Sequence, residues 1–136
     1  MVKSIRILLA DEDEGVLQGL SSLLRTEEDI TVVGLSLDGA EAVGLAERLS
    51  PDLAILDLTM PLMNGIEATR RLRALLPSTR ILIVSAQTSP RYVGSALKAG
   101  ADGYVAKDAV GRELITAIRA VLAGQGYVSE ALRSSC

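Results

Sequence analysis

A chain of 136 residues, 49% hydrophobic and 23% charged, is about one domain long and carries enough apolar material for a real core. It contains no His, Trp or Phe and a single Cys. That excludes Ser-His-Asp and Cys-His relays, an HExxH zinc site, a phosphohistidine, an internal disulfide and a CxxC zinc cage. The net charge of −3, with no polybasic run, leaves nucleic acid and membrane surfaces without an electrostatic footprint. Carboxylates, hydroxyls and lysines remain for chemistry.

The N-terminus, Met1-Val2-Lys3-Ser4, leads into an apolar stretch too short and too quickly acidic for a signal peptide. No apolar run approaches the roughly 20 residues of a membrane span. Cys136 reads as a terminal residue and fits a reducing compartment, so the expected location is the cytoplasm.

Five apolar runs recur along the chain: Ile5–Ala10, Ile30–Leu35, Asp52–Asp57, Thr79–Ser85 and Ala101–Ala106. Three of them are almost continuously apolar, as strands covered on both faces of a parallel sheet must be. Between them lie helical stripes. Val16, Leu17, Leu20, Leu23 and Leu24 line the first. The second opens on Asp38 and Glu41 at capping-box spacing and buries Val43, Ala46 and Leu49. The third opens on Asn64 and Glu67, continues through Ile66, Thr69 and Leu72, and stops at Pro77. Ser89-Pro90 starts the fourth and Gly100 ends it. Leu114, Ile115, Ile118, Val121 and Leu122 form the fifth, closed by Gly124. Five alternating units imply a doubly wound α/β domain, in which ligands bind at the carboxyl ends of the strands.

Those ends carry Asp11-Glu12-Asp13, Asp57, Ser85 and Lys107. Asp13 and Glu14 read as acids at a helix N-terminus. Asp57 alone could be a turn former, Ser85 a turn hydroxyl and Lys107 a solvated lysine. Together they suit phosphoryl transfer to the Asp57 carboxylate. Converging acids call for a hard cation such as Mg2+, and the lysine and hydroxyl contact the transferred oxygens.

Over residues 4–125 the chain resembles the receiver domain of two-component response regulators. The matching pieces are Ile7-Leu8-Leu9-Ala10-Asp11-Glu12, Asp57 through Gly65, Ser85-Ala86, and Ala99-Gly100-Ala101-Asp102-Gly103-Tyr104-Val105-Ala106-Lys107-Asp108, with Ser85 and Lys107 twenty-two apart. Ile30-Thr31-Val32-Val33-Gly34 and Gly39-Ala40-Glu41-Ala42 are most similar to the NarL/FixJ-type subfamily. The resemblance implies a flavodoxin/CheY-like five-stranded sheet of order 2-1-3-4-5 with five helices. It implies Asp57 as phosphoacceptor, and Asp11, Glu12, Asp57 and the Thr59 backbone carbonyl as Mg2+ contacts. Lys107 and Ser85 are then the phosphate-contacting residues, and Ser85 and Tyr104 a coupled switch in which Tyr104 turns inward. Pro61 and Gly65 shape the loop, and Thr59 and Gln87 tune hydrolysis. Glu12 stands where the family more often has Asp, and Asp13 where the subfamily often has His.

The implied partners are a sensor histidine kinase and a phosphorylation-linked homodimer. DNA is reached only through a domain outside these residues, and no membrane is involved. Residues 126–136 are expected to be a tail, or the start of a linker to that domain. The chain would be a phosphorylation-dependent switch rather than an enzyme. A haloacid-dehalogenase-type phosphatase is the rival enzyme reading, but Thr59 stands where its second Asp belongs. No GxGxxG or P-loop follows the first strand. A receiver-like interaction module independent of phosphate is the other alternative. Arg70, Arg71 and Arg73 read as a solvated helix face. Arg91, Lys98, Arg112 and Arg119 fall on the last two helices, a frequent output face in the family.

Overall fold

A computed structural model describes residues 3–135, so the sequence-based readings of Met1, Val2 and Cys136 fall outside it. The elements alternate as β1 (Ile5–Ala10), α1 (Glu14–Leu24), β2 (Ile30–Ser36), α2 (Gly39–Leu49), β3 (Leu53–Leu56) and α3 (Gly65–Leu75). They continue with β4 (Arg80–Ser85), α4 (Pro90–Ala99), β5 (Gly103–Ala106), α5 (Val110–Leu122) and β6 (Tyr127–Val128). All strand pairs are parallel, and the order across the sheet is β2-β1-β3-β4-β5-β6.

Period-two alternation divides the strand side chains between two cores. Leu8, Ala10, Ala54, Leu56, Ile81 and Ile83 pack with Val43 and Ala46 of α2, Leu72 of α3 and Val93 of α4. Ile7, Leu9, Leu53, Ile55, Leu82 and Val84 face the other way, onto Leu17 and Leu24 of α1 and Ile118 of α5. The apolar runs are continuous because both faces are covered. No helix among the described residues is long and apolar enough to cross a membrane.

The helix ends follow their caps. Asp13 accepts from the Gly15 and Val16 amides, Asp38 from Glu41, and Asn64 from Glu67. Gly100 closes α4 at a φ of 117°, a left-handed conformation open to glycine at little cost.

Two expectations need correction. The sheet has six strands rather than five, because Tyr127 and Val128 pair with Gly103 and Tyr104 of β5. Without them β5 would expose a row of unpaired amides and carbonyls. Tyr127 and Val128 are therefore built into the sheet, and a 3-10 helix, Glu130–Ser135, follows them. Arg73 is the second correction. Arg70 and Arg71 lie on the exposed face and pair with Glu67 of the same helix. Arg73 turns instead to the end of α4, where it donates to Gly100 O (2.7 Å), Asp102 Oδ2 (2.6 Å), Pro77 O (3.1 Å) and Thr79 O (3.1 Å).

The two arginines should differ sharply in stability. Arg73→Ala removes a donor from three carbonyls and from Asp102, which keeps only the Ile81 amide and a longer contact to Arg80, so it should cost about 2–3 kcal/mol in urea unfolding. Arg70→Ala should stay within about 0.5 kcal/mol of the parent. Equal midpoints for the two variants would contradict the assignment.

Candidate functional site

Asp11 follows β1 and Asp57 follows β3, and these strands are neighbours in the sheet. Their parallel pairing sets Ala10 beside Leu56, so the two carboxylates arrive side by side at one edge. The Asp57 amide donates to Ala10 O at 2.9 Å, fixing the start of its loop. Asp11 is 1% exposed and Asp57 6%. The Lys107 ammonium, just past β5, sits between them, 2.8 Å from Asp11 Oδ2 and 3.3 Å from Asp57 Oδ2. A second contact orients Asp11, whose Oδ1 accepts from the Asp13 amide at 2.8 Å.

Burial raises the Asp57 pKa above its ordinary 3.8, and the Asp11 charge pushes in the same direction against the pull of Lys107. Burial also works against the Lys107 ammonium, but its bond to Asp11 and the charges of both acids outweigh that, so its pKa rises. The trio is thus two buried carboxylates served by one ammonium. Among the described residues, no three Asp, Glu, His or Cys side chains gather closely enough to cage a metal. The donor set instead suits a hard cation held by one or two carboxylates, a carbonyl and water, as Mg2+ commonly is. Glu12 is exposed, whereas Asp11 and Asp57 are buried. Asp13 is occupied as the N-cap of α1, and Glu14 lies in that helix's first turn.

Ser85 ends β4 and is buried, its hydroxyl accepting from the Gln87 amide at 3.0 Å. Tyr104, opposite Ile83 across the β4–β5 pair, is 0% exposed and donates from its hydroxyl to Gln87 O at 2.5 Å. Burial raises the Tyr104 pKa, Ser85 opposes the shift and the Asp57 charge adds to it. The ring thus already occupies the inward position, and β5 is an interior strand rather than an edge. Thr59 and Gln87 are exposed and line one cleft with Leu58, Met60, Asn64, Ile66 and Tyr92.

The loop after Asp57 is tightly built. Pro61 O accepts from both the Met63 and Gly39 amides. Leu62, between Pro61 and Met63, has a φ of 66° although it is 85% exposed, a strained conformation for a branched side chain. Gly65 is required, because a Cβ there would lie 2.2 Å from Asp57 O. On the last two helices, Arg91, Lys98 and Arg112 are exposed, whereas Arg119 is engaged within the chain by Asp29 and Glu27. Sequence reasoning missed Ser129, whose hydroxyl meets β5; the adjacent Tyr127-Val128 pair is the one local signal that a strand lies there.

Asp57→Asn should raise the thermal midpoint by a few degrees in metal-free buffer near neutral pH. The folded-state pKa of Asp57 lies above the unfolded value, so its ionised form costs stability above both values. That cost disappears as pH falls through the raised pKa. The advantage of the Asn variant should therefore shrink on acidification. A lower midpoint than wild type at neutral pH would contradict the sign.

The response regulator receiver domain family matches residues 7–119. The nitrate/nitrite response regulator protein NarL of Escherichia coli (strain K12) is 43% identical over 126 residues, covering 93% of this chain and 58% of that protein. The response regulator protein VraR of Staphylococcus aureus is 37% identical over 122 residues, covering 90% of this chain and 58% of its own. The chain thus spans somewhat over half the length of these curated relatives. A LuxR-family two-component response regulator from Aurantimonas sp. SI85-9A1 superposes with a TM-score of 0.93 at 35% identity, covering 98% of this chain and 95% of that one. The signal receiver domain of the NarL response regulator of Mycobacterium tuberculosis superposes at 0.86 with 33% identity, over 90% of this chain and 99% of its own. On the family match, over most of its length, the chain belongs to the response regulator receiver domain family.

Proposed function

We propose that the chain takes a phosphoryl group on Asp57 and passes that event on as a change in packing around Ser85 and Tyr104. The carrying observation is the buried Asp11–Asp57 pair bridged by Lys107 at 2.8 and 3.3 Å. Such a pair is costly to hold unless cations and a developing phosphate charge make use of it. The donor is the phosphohistidine of a sensor kinase or a small acyl phosphate. An Asp57 carboxylate oxygen attacks phosphorus in line as the bond to the leaving nitrogen or oxygen breaks, and the leaving group departs with the electron pair. Lys107 moves its ammonium from the Asp57 oxygen to the transferred oxygens, and the Ser85 hydroxyl donates to another of them.

Receiver domains in general use Mg2+ at the phosphorylation site. Here Asp11, Asp57 and the Thr59 carbonyl would hold the ion, with Glu12 reaching it directly or through water. Bound there, it supplies charge neutralisation for the transferred oxygens. Asp11 keeps Lys107 anchored throughout. Thr59 and Gln87, exposed at the mouth, set how readily water reaches the acyl phosphate, and so tune its hydrolysis. Residues 4–125 form the receiver unit of a cytoplasmic response regulator. Its output, transcription through a DNA-binding domain beyond these residues, is accompanied by phosphorylation-linked pairing of two copies. Receiver domains are signalling switches rather than classical enzymes, and self-dephosphorylation is part of the proposal here.

Incubation with acetyl phosphate and Mg2+, followed by intact-mass measurement, tests the reading. Wild type should gain one phosphate-sized increment, Asp57→Asn none, and Lys107→Ala should react about 100-fold more slowly, the usual effect of deleting a charge-stabilising donor. EDTA should suppress the reaction. No increment in wild type with any donor would favour the phosphate-independent interaction module, for which the exposed Glu12 is the supporting observation.

A further inference from the structure

β5 is four residues long, carries Tyr104 and runs directly into Lys107, so one short strand serves both the proposed switch and the site. The segment after α5 grips this strand at two points. The Ser129 amide donates to Tyr104 O at 2.9 Å, and the Ser129 hydroxyl accepts from the Ala106 amide at 2.9 Å. Ser129 is 0% exposed, so both bonds are shielded from water. β6 itself ends at Val128. The seryl hydroxyl thus continues the ladder by one step after the backbone has turned away, and it partners an amide that would otherwise be buried and unpaired.

The rest of the segment is anchored as well. The Tyr127 hydroxyl donates to Glu113 Oε1 of α5 at 3.0 Å. Arg133 donates to Val128 O at 2.8 Å and lies 5.2 Å over the Tyr127 ring. Leu132 is buried in the same apolar cluster as Tyr104 and Ala106, with Val128 packed against that cluster.

We propose that Ser129 is a positioning residue that clasps residues 127–135 to β5, so that the docked segment and the inward Tyr104 with its Lys107-bearing strand end favour one another. This rests on the reading of Asp57 and Tyr104 given above. An outward Tyr104 would leave a void in the cluster that holds Leu132, loosening the segment. A loosened segment would free Tyr104 O and the Ala106 amide, and with them the backbone that leads to Lys107. The coupling is reciprocal: whatever holds Tyr104 inward also holds the segment down.

The test uses the full chain with beryllofluoride and Mg2+ as the probe, read by hydrogen exchange and by titration. In wild type, saturating probe should slow exchange across residues 127–132 about tenfold. Ser129→Ala should exchange faster there and bind the probe about five- to tenfold more weakly, and Ser129→Thr, which keeps the hydroxyl, should recover both. Leu132→Ala, which frees the segment without touching the two clasp bonds, should also weaken the probe. Faster exchange in both variants with unchanged probe affinity would overturn the clasp. So would wild type that binds the probe with no change across 127–132. Wild type that binds no probe would overturn the phosphoacceptor reading itself, and the clasp with it.

Discussion

Two carboxylates brought together and taken out of water repel each other, and the fold is arranged around the cation that makes this tolerable. β1 and β3 deliver Asp11 and Asp57 to one edge, and Lys107 arrives from β5, with β4 between. Only a parallel sheet brings all of these strand ends to the same side. That topology covers both faces with helices, which explains the unbroken apolar runs and the two separate cores. Asp57 remains under tension even so, its pKa raised by burial and by Asp11. A carboxylate held in that state has more to gain from an added cation and from esterification to phosphate than an exposed one would.

Much of this was legible in the sequence, and the reasons are physical. Strands covered on both faces must be apolar along their length, so β1, β3 and β4 announce themselves. Asp38, Asn64 and Ser89 are legible as caps because few residue types can accept from a free helix amide. Asp57 and Lys107 stand out because they interrupt apolar runs where ligands bind. What stayed hidden depends on direction rather than identity. Arg73 has the same spacing and charge as its solvated neighbours, and only the fold shows it turning to Gly100 and Asp102. A strand of two residues has no periodicity to detect, so β6 passed as tail. The inward pose of Tyr104 and the exposure of Glu12 are likewise outcomes of packing that no spacing encodes.

β5 links the elements of the proposed switch. It carries Tyr104 and runs into Lys107, and its outer edge is occupied by β6. An event that shifts Lys107 or Tyr104 by a small distance therefore has a structural neighbour ready to respond. On the other side of the site, Leu62 takes a positive φ and Gly65 packs against Asp57 O, where a side chain would not fit.

The central claim is that Asp57, rather than another acid of the cluster, forms the acyl phosphate. Borohydride reduction of the acetyl phosphate-treated chain, followed by peptide sequencing in the mass spectrometer, reads that position directly. Reduction should convert residue 57 to homoserine and leave Asp11, Glu12 and Asp13 intact. Homoserine at residue 11 or 13, or the longer amino alcohol 2-amino-5-hydroxypentanoic acid at residue 12, with residue 57 unmodified, would contradict the account.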